Sequence, residues 1–112
     1  DRNSGHNVSG HIDQVGEILL IEQKSDFFLL RIGFEEAFFP LIINKGSVAI
    51  DGISLTVSNV SDKKNNPWFE VSIIPHTWEH TNLKNKQTTD GVNLEFDQFG
   101  KYMLRFLATQ NK

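Results

Sequence analysis

Alternation of apolar and polar residues predicts most of the strands in this chain. The clearest case is segment 53–57, where Ile53, Leu55 and Val57 alternate with Ser54 and Thr56. Successive side chains of a strand point to opposite faces. One face of this predicted strand is therefore apolar, and the other carries two hydroxyl groups.

A turn signal just before this strand predicts a β-hairpin. Asp51-Gly52 separates it from the run Ser47–Ile50, and Asp-Gly is typical of the two-residue turns that join antiparallel strands. Small hydroxyl groups beside a hairpin suit a shallow polar pocket, because they can hydrogen-bond a flat heterocycle without blocking it. An ordinary solvent-exposed Ser/Thr face is the alternative that this pattern leaves open.

The rest of the pattern predicts a small all-β domain. Further strands are expected over Val15–Ile21, Phe27–Ile32, Trp68–Ile74 and Val92–Phe96, and the second arm of the hairpin extends to about Val60. A short helix is expected at Glu35–Ala37, ended by Pro40, and one helical turn at His76–His80. Six short strands at this spacing favour a small antiparallel barrel.

The period changes at the end of the chain. Between Gln98 and Thr109, apolar residues recur at the spacing of an amphipathic helix, namely Phe99, Tyr102, Met103, Phe106 and Leu107. We therefore divide the chain into a barrel, residues 1–97, and a C-terminal helix, residues 98–112. The helix either packs on an open end of the barrel or mediates contacts between subunits.

Composition narrows the functional classes. The 112 residues carry a net charge of −3 with no basic block, so nucleic-acid binding is not indicated. There is no cysteine, which fits a reducing, cytoplasmic compartment. No apolar run approaches the ~20 residues of a membrane span. Because a natural protein seldom begins with Asp, we interpret the sequence as a fragment.

Three segments together resemble the riboflavin synthase family, which is built from lumazine-binding barrels. They are Ser4-Gly5-His6-Asn7-Val8-Ser9-Gly10-His11-Ile12-Asp13, then Val71–Thr77 followed by Thr81-Asn82-Leu83, then Val92–Asp97 followed by Lys101-Tyr102. The resemblance covers nearly the whole chain. It is closest to the C-terminal of the family's two repeats, since the N-terminal repeat carries Cys where Ser54 stands. Ser4 departs from the Gly that is usual in the family.

The resemblance implies a fold and an activity. The fold is a six-stranded antiparallel Greek-key barrel. The activity is dismutation of two 6,7-dimethyl-8-ribityllumazine molecules to riboflavin and 5-amino-6-ribitylamino-uracil, without an external cofactor. In the family the reaction site lies between barrels of different subunits of a homotrimer, so this chain supplies half of a site. The alternatives are a non-catalytic, antenna-like lumazine or flavin carrier and a plain interaction module.

The resemblance also implies catalytic roles for three residues. His11 can give or take a proton near neutral pH, although a histidine bonded into a Gly-rich turn is the alternative. Ser54 can orient a water molecule or hydrogen-bond the ring. Asp97 either orients His11 or the water, or it caps the terminal helix.

The resemblance further implies substrate binding along one edge of the barrel. Lys45 can reach a ring carbonyl or a ribityl hydroxyl, and the backbone of Ser72–Thr77 can pair with the polar edge of the heterocycle. The predicted binding residues are Gly10, His11, Ile12, Lys45, Ser54, Leu55, Thr56, Ser72, Ile73, Ile74, Pro75, His76 and Thr77.

One motif competes with this interpretation. His76-Thr77-Trp78-Glu79-His80 satisfies the His-x-x-Glu-His pattern of inverted zinc peptidases. The motif follows a predicted strand and Pro75, and only 32 residues remain after His80 to supply a third ligand on a helix. We therefore expect no metal site.

Overall fold

Six strands close into an antiparallel barrel in the computed structural model, which describes residues 11–110. The strands are β1 (Gln14–Gln23), β2 (Phe28–Gly33), β3 (Ser47–Ile50), β4 (Ile53–Val60), β5 (Trp68–Ile73) and β6 (Gly91–Phe96). Their order around the barrel is β1-β2-β5-β4-β3-β6. Strands β3, β4 and β5 are consecutive neighbours and β2 returns beside β5, which is a Greek key. The predicted all-β barrel is confirmed.

The barrel is filled by the apolar residues that the alternation places inward. On β4, Ile53, Leu55 and Val57 are all buried. Phe34 joins two walls of the interior, since its ring lies 5.6 Å from that of Phe69 and 6.2 Å from that of Phe96. Each such side chain contributes about 1.5–3 kcal/mol when it is removed from water, so this core holds the strands in register.

The predicted hairpin forms at Asp51-Gly52. Both residues have positive φ, 49° and 81°, as a type I′ turn requires. The Asp51 carboxylate also accepts a hydrogen bond from the backbone N–H of Asn93 at 2.7 Å. The turn is thereby tied to the neighbouring strand β6.

Two short 3₁₀ helices differ from the sequence prediction. The first, Glu36–Leu41, contains Pro40 instead of ending there. The bonds at its two ends are donated by the N–H groups of Phe38 and Ile42, and neither requires the donor that proline lacks. The second, Asn82–Asn85, was not predicted, and the Thr81 hydroxyl caps it by accepting from Leu83.

Two α-helices complete the fold. Helix α1 (Pro75–Glu79) follows β5 and stacks Trp78 on Phe28, with ring centroids 4.3 Å apart. Helix α2 (Gln98–Gln110) follows β6 and has no buried side chain. Neither helix, nor any other in the described part of the chain, has the length and apolar character that a membrane crossing requires.

Candidate functional site

Polar side chains form a grid on the outer face of strands β4, β3 and β6. The register pairs Ser54 with Ala49 and Ala49 with Glu95, so these three residues lie side by side across the strands. The next row contains Thr56, which pairs with Ser47. Because the inward positions of the same strands are apolar, the polar groups of these strands that could contact a ligand lie on this outer face.

A small cleft lies within the grid and contains two of the predicted catalytic residues, Ser54 and Asp97. Its volume is about 160 Å³, and we call it the polar cleft; its lining is Ser47, Val48, Ala49, Ser54, Glu95, Phe96 and Asp97. Complete small-molecule pockets typically have volumes of about 300–1,000 Å³. The polar cleft can therefore enclose part of a ligand but not all of it.

Asp97 has the helix-capping role, one of the two that the sequence left open, and it also lies at the polar cleft. Its Oδ2 accepts a hydrogen bond from the N–H of Gly100 at 2.9 Å, which caps the first turn of α2. The same residue lines the polar cleft. One carboxylate oxygen is thus engaged by the helix, and the side chain still borders the cleft.

Lys45 lies two residues before the start of β3, next to the Thr56–Ser47 row. Its N–H donates to the carbonyl of Val57 at 2.7 Å, and the N–H of Val57 donates to Gly46 at 2.8 Å. Lys45 and Gly46 therefore both face Val57 of β4, which is the arrangement of a β-bulge. Lys45 has φ of 70°, an unusual value for a residue other than glycine.

The β4–β5 ladder ends within the predicted binding edge. The last pair of the ladder is Val57↔Val71, and β5 turns into α1 at Pro75. The C-terminal end of β5 lies along the N-terminal half of β4, because the two strands are antiparallel. On β4 before Val57, and on β5 after Val71, the main-chain groups that face the other strand take no part in the β4–β5 ladder. A strand edge that pairs with a heterocycle needs such groups.

The predicted binding residues along this edge divide into buried and exposed side chains. Leu55 and Ile73 are in the barrel core, and Thr77 is buried in α1. Leu55 and Ile73 can therefore meet a ligand only through their backbone. Side chains that face solvent at this edge are those of Thr56, Ser72, Ile74, Pro75 and His76.

The predicted N-terminal site residues lie only partly within the described region. Gly10 falls outside it. His11 and Ile12 are exposed in an extended segment before β1. Because β1 pairs with β6 in the register Gln14↔Leu94, this segment leaves β1 at the end of the barrel where β6 runs into Asp97. His11 is not part of the polar cleft lining.

The two histidines of the His-x-x-Glu-His motif contact each other. The rings of His76 and His80 stack with centroids 4.2 Å apart, and Nδ1 of His80 is 2.8 Å from the carbonyl oxygen of His76. Within residues 11–110, no three His, Asp or Glu side chains come together as a metal site would require.

Two polar residues of the polar cleft were not predicted as site residues. Ser47 and Glu95 line it beside Ser54 and Asp97. Glu95 alternates with the inward Leu94 and Phe96, so the strand pattern placed it on the outer face. The sequence did not indicate that β6 pairs with β3, and this pairing is what brings Glu95 to the cleft.

The chain matches the family model for the lumazine binding domain over residues 9–97. This range includes all six strands and the polar cleft. The chain belongs to the lumazine-binding domain family. Its barrel is therefore homologous to the repeats from which riboflavin synthases are built, as the sequence motifs predicted.

Curated relatives of this lumazine-binding domain include several bacterial riboflavin synthases. The chain is 48% identical to that of Actinobacillus pleuropneumoniae over 106 residues, which are 95% of this chain and 47% of the relative. It is 38% identical to that of Bacillus subtilis (strain 168), covering 99% of this chain and 51% of the relative. The chain thus spans about half the length of the curated relatives it matches.

Solved structures share the fold. LumP complexed with 6,7-dimethyl-8-(1'-D-ribityl) lumazine superposes with a TM-score of 0.73 at 21% identity, over 87% of this chain and 52% of that chain. LumP complexed with riboflavin gives a TM-score of 0.72 at 20% identity, over 87% and 50%. At this identity the likeness establishes the barrel architecture.

Proposed function

We propose that this chain is the C-terminal lumazine-binding half-site of a riboflavin synthase. It binds 6,7-dimethyl-8-ribityllumazine and, facing a second barrel, takes part in the dismutation that yields riboflavin and 5-amino-6-ribitylamino-uracil. The observation that carries the proposal is the polar cleft, which brings Ser54 and Asp97 together within the family-matched barrel.

The chemistry of the exposed edge suits the two parts of this substrate. The ring presents imide-like donors and acceptors, which main-chain groups of Ser72–Ile74 and of the facing edge of β4 can pair with. The ribityl chain presents hydroxyl donors. Carboxylates accept such hydrogen bonds well, and Glu95 and Asp97 place two of them beside the hydroxyl of Ser54.

The reaction asks little of the protein beyond positioning and proton transfer. The lumazine ring is electron-poor and its C7 methyl group is acidic, so no external cofactor is required. Two rings held face to face gain most of the rate enhancement from their orientation. In this proposal His11 exchanges protons, while Ser54 and Asp97 orient the ring or a water molecule, and Lys45 pairs with a ring carbonyl or a ribityl hydroxyl.

The second half of the site comes from another barrel. The polar cleft is smaller than a complete ligand pocket, and it opens to solvent on the barrel surface. We place this chain in a cytoplasmic homotrimer in which its cleft faces the N-terminal barrel of another subunit, with the exposed apolar side chains of α2 at the subunit contacts.

Ligand fluorescence tests the binding half of the proposal. Titration of the chain with 6,7-dimethyl-8-ribityllumazine, and separately with riboflavin, should give saturable changes in emission. Thr56→Val keeps the side-chain volume and removes one hydroxyl on the exposed face of β4. The lost hydrogen bond should weaken binding by about 1 kcal/mol, or roughly fivefold in Kd.

Thr88→Val is the matched control, because Thr88 is exposed in a turn outside the proposed edge. It should leave Kd unchanged. Equal affinities for the Thr56→Val and wild-type chains would remove Thr56 from the ligand-binding face, and no emission change in the wild type would contradict the proposed function. Tight binding without turnover beside a partner barrel would instead favour the antenna-like carrier.

A further inference from the structure

Asp13 is a largely buried carboxylate just outside the polar cleft. Its side chain is 16% exposed, and its Oδ2 accepts a hydrogen bond from the backbone N–H of Phe96 at 2.8 Å. Its own N–H donates to the carbonyl of Leu94, also at 2.8 Å. These two bonds join Asp13 to the end of β6, directly before Asp97. In the sequence, Asp13 follows the predicted acid–base residue His11 by two positions.

The same carboxylate reaches the terminal helix. Nζ of Lys101 lies 3.1 Å and 3.0 Å from the two carboxylate oxygens of Asp13. The backbone N–H of Lys101 donates to the carbonyl oxygen of Asp97 at 3.0 Å. Asp13 therefore holds residues on both sides of Asp97, namely Phe96 before it and Lys101 after it.

This geometry constrains the direction of the Asp97 side chain. Because Oδ2 of Asp97 caps α2 through Gly100, the carboxylate turns with the start of the helix. A helix start that is fixed to β6 through Asp13 presents Asp97 to the polar cleft in one orientation. Without Asp13, the helix-cap bonds and the contacts of α2 with the 3₁₀ helix Glu36–Leu41 would set that orientation, and α2 has no buried side chain to hold it in place.

A second carboxylate makes similar contacts near the middle of β6. Asp51 accepts a hydrogen bond from the N–H of Asn93 at 2.7 Å, lies 3.6 Å from Nζ of Lys86, and is also 16% exposed. Asp51 and Asp13 thus match in burial, backbone contact and lysine partner. They differ in that only Asp13 is connected to Asp97, and in that Asp51 has a positive φ in the hairpin turn.

We propose that Asp13 is a positioning residue that, together with Lys101, orients the Asp97 carboxylate at the polar cleft. The catalytic consequence rests on the proposed function, whereas the structural consequence does not. A residue that positions a reacting group should affect turnover far more than substrate binding, since small misplacements of reacting groups can reduce rates on the order of 100-fold.

The structural arm of the test compares Asp13→Ala with Asp51→Ala by amide NMR. In Asp13→Ala the amide resonances of Gly100 and Lys101 should move toward the values of an uncapped helix start, while in Asp51→Ala they should stay in place. Unchanged Gly100 and Lys101 resonances in Asp13→Ala would overturn the proposal. If Asp13→Ala does not fold, Asp13→Asn, which keeps one acceptor oxygen but not the charge that Lys101 pairs with, takes its place.

The kinetic arm measures riboflavin formation by the wild-type and variant chains, each mixed with a separately made N-terminal repeat. We expect Asp13→Ala to lower kcat by about 10- to 100-fold with KM changed less than about threefold, and Asp51→Ala to retain the wild-type kcat. An equal loss of kcat in the two variants, or a change in KM alone, would show that Asp13 stabilises the fold without positioning Asp97. A wild-type chain that neither binds nor turns over lumazine would contradict the proposed function, and the NMR arm would still decide whether Asp13 positions Asp97.

Discussion

Lys45 combines a backbone strain with a proposed binding role. Its φ of 70° lies in the left-handed region, which costs a residue with a Cβ roughly 1 kcal/mol or more. The bulge that requires this conformation is held by two backbone hydrogen bonds to Val57. Glycine would fit the same backbone at lower cost, but it could not supply the ammonium group that the proposed site uses.

The Lys45→Gly variant should therefore gain stability and lose ligand affinity. We expect the free energy of unfolding to rise by up to about 1 kcal/mol, because the left-handed strain of about 1–2 kcal/mol exceeds the roughly 0.5–1 kcal/mol of extra entropy that glycine loses on folding. Chemical denaturation measures the first change, and the fluorescence titration with riboflavin measures the second.

Thr89→Gly is the control for the strain of Lys45. Thr89 has φ of 79° in the turn before β6 and lies outside the proposed site. Its replacement should raise stability in the same way and leave ligand affinity intact. A fall in stability of Lys45→Gly would show that the bulge prefers the lysine side chain for packing.

At single positions, the sequence predicted which face a side chain occupies better than which residues meet. Alternation placed Ser54 and Thr56 outside and Leu55 inside, and the barrel has them so. The neighbours of Ser54 across the sheet, Ala49 and Glu95, depend on β6 pairing with β3. That pairing joins strands far apart in the sequence, and no local pattern specifies it.

Among the elements, the strands were predictable because turn residues bound them. Strands β3 and β4 begin and end as expected around Asp51-Gly52, and the others differ by one or two residues at their ends. The 3₁₀ helices were harder, since their bonds depend on the path of the chain between strands. Pro40 illustrates this, because it lies inside a helix whose end bonds are donated by Phe38 and Ile42.

Helix α2 leaves its apolar stripe exposed to solvent in the single chain. Phe99 is 70% exposed and Phe106 is 55% exposed. The helix is tied to the barrel mainly at its first turn, through Asp97 and Lys101. An exposed stripe of this size is typical of a surface that contacts other protein.

Phe106→Glu should therefore dissociate subunits instead of unfolding the barrel. The new charge would enter an apolar contact between chains, where an unpaired carboxylate is costly, but it would remain solvated in the single chain. Sedimentation should show an assembly for the wild type and a monomer for the variant, with the far-UV circular dichroism spectrum retained.

Ala108→Glu adds the same charge on the other side of α2, where the residue is also exposed. This control should keep the mass of the wild-type assembly. A Phe106→Glu chain with unaltered mass and fold would show that α2 does not mediate self-association, and an unfolded one would show that the stripe packs on the barrel.

On the scale of the whole molecule, the barrel is closed but the proposed site is open. Each strand of the described region pairs with a neighbour on both sides, so the barrel offers no complete edge strand to another chain. The polar cleft encloses about 160 Å³, and the relatives are about twice the length of this chain. Fold and cleft are properties of one barrel, whereas dismutation requires two lumazines held face to face.

This chain alone should therefore make riboflavin very slowly, and a separately made N-terminal repeat should restore the rate. Holding two reactants in register supplies about 7–11 kcal/mol of barrier reduction, which one barrel with one cleft cannot provide. The assay follows riboflavin formation from 6,7-dimethyl-8-ribityllumazine with and without the added repeat. In the restored mixture His11→Ala should lower the rate, because the proposed proton donor is lost, while Thr88→Ala, in an exposed turn outside the proposed site, should not. Full activity of the chain by itself would mean that two like barrels can face each other productively, and that the donor and acceptor sites need not differ.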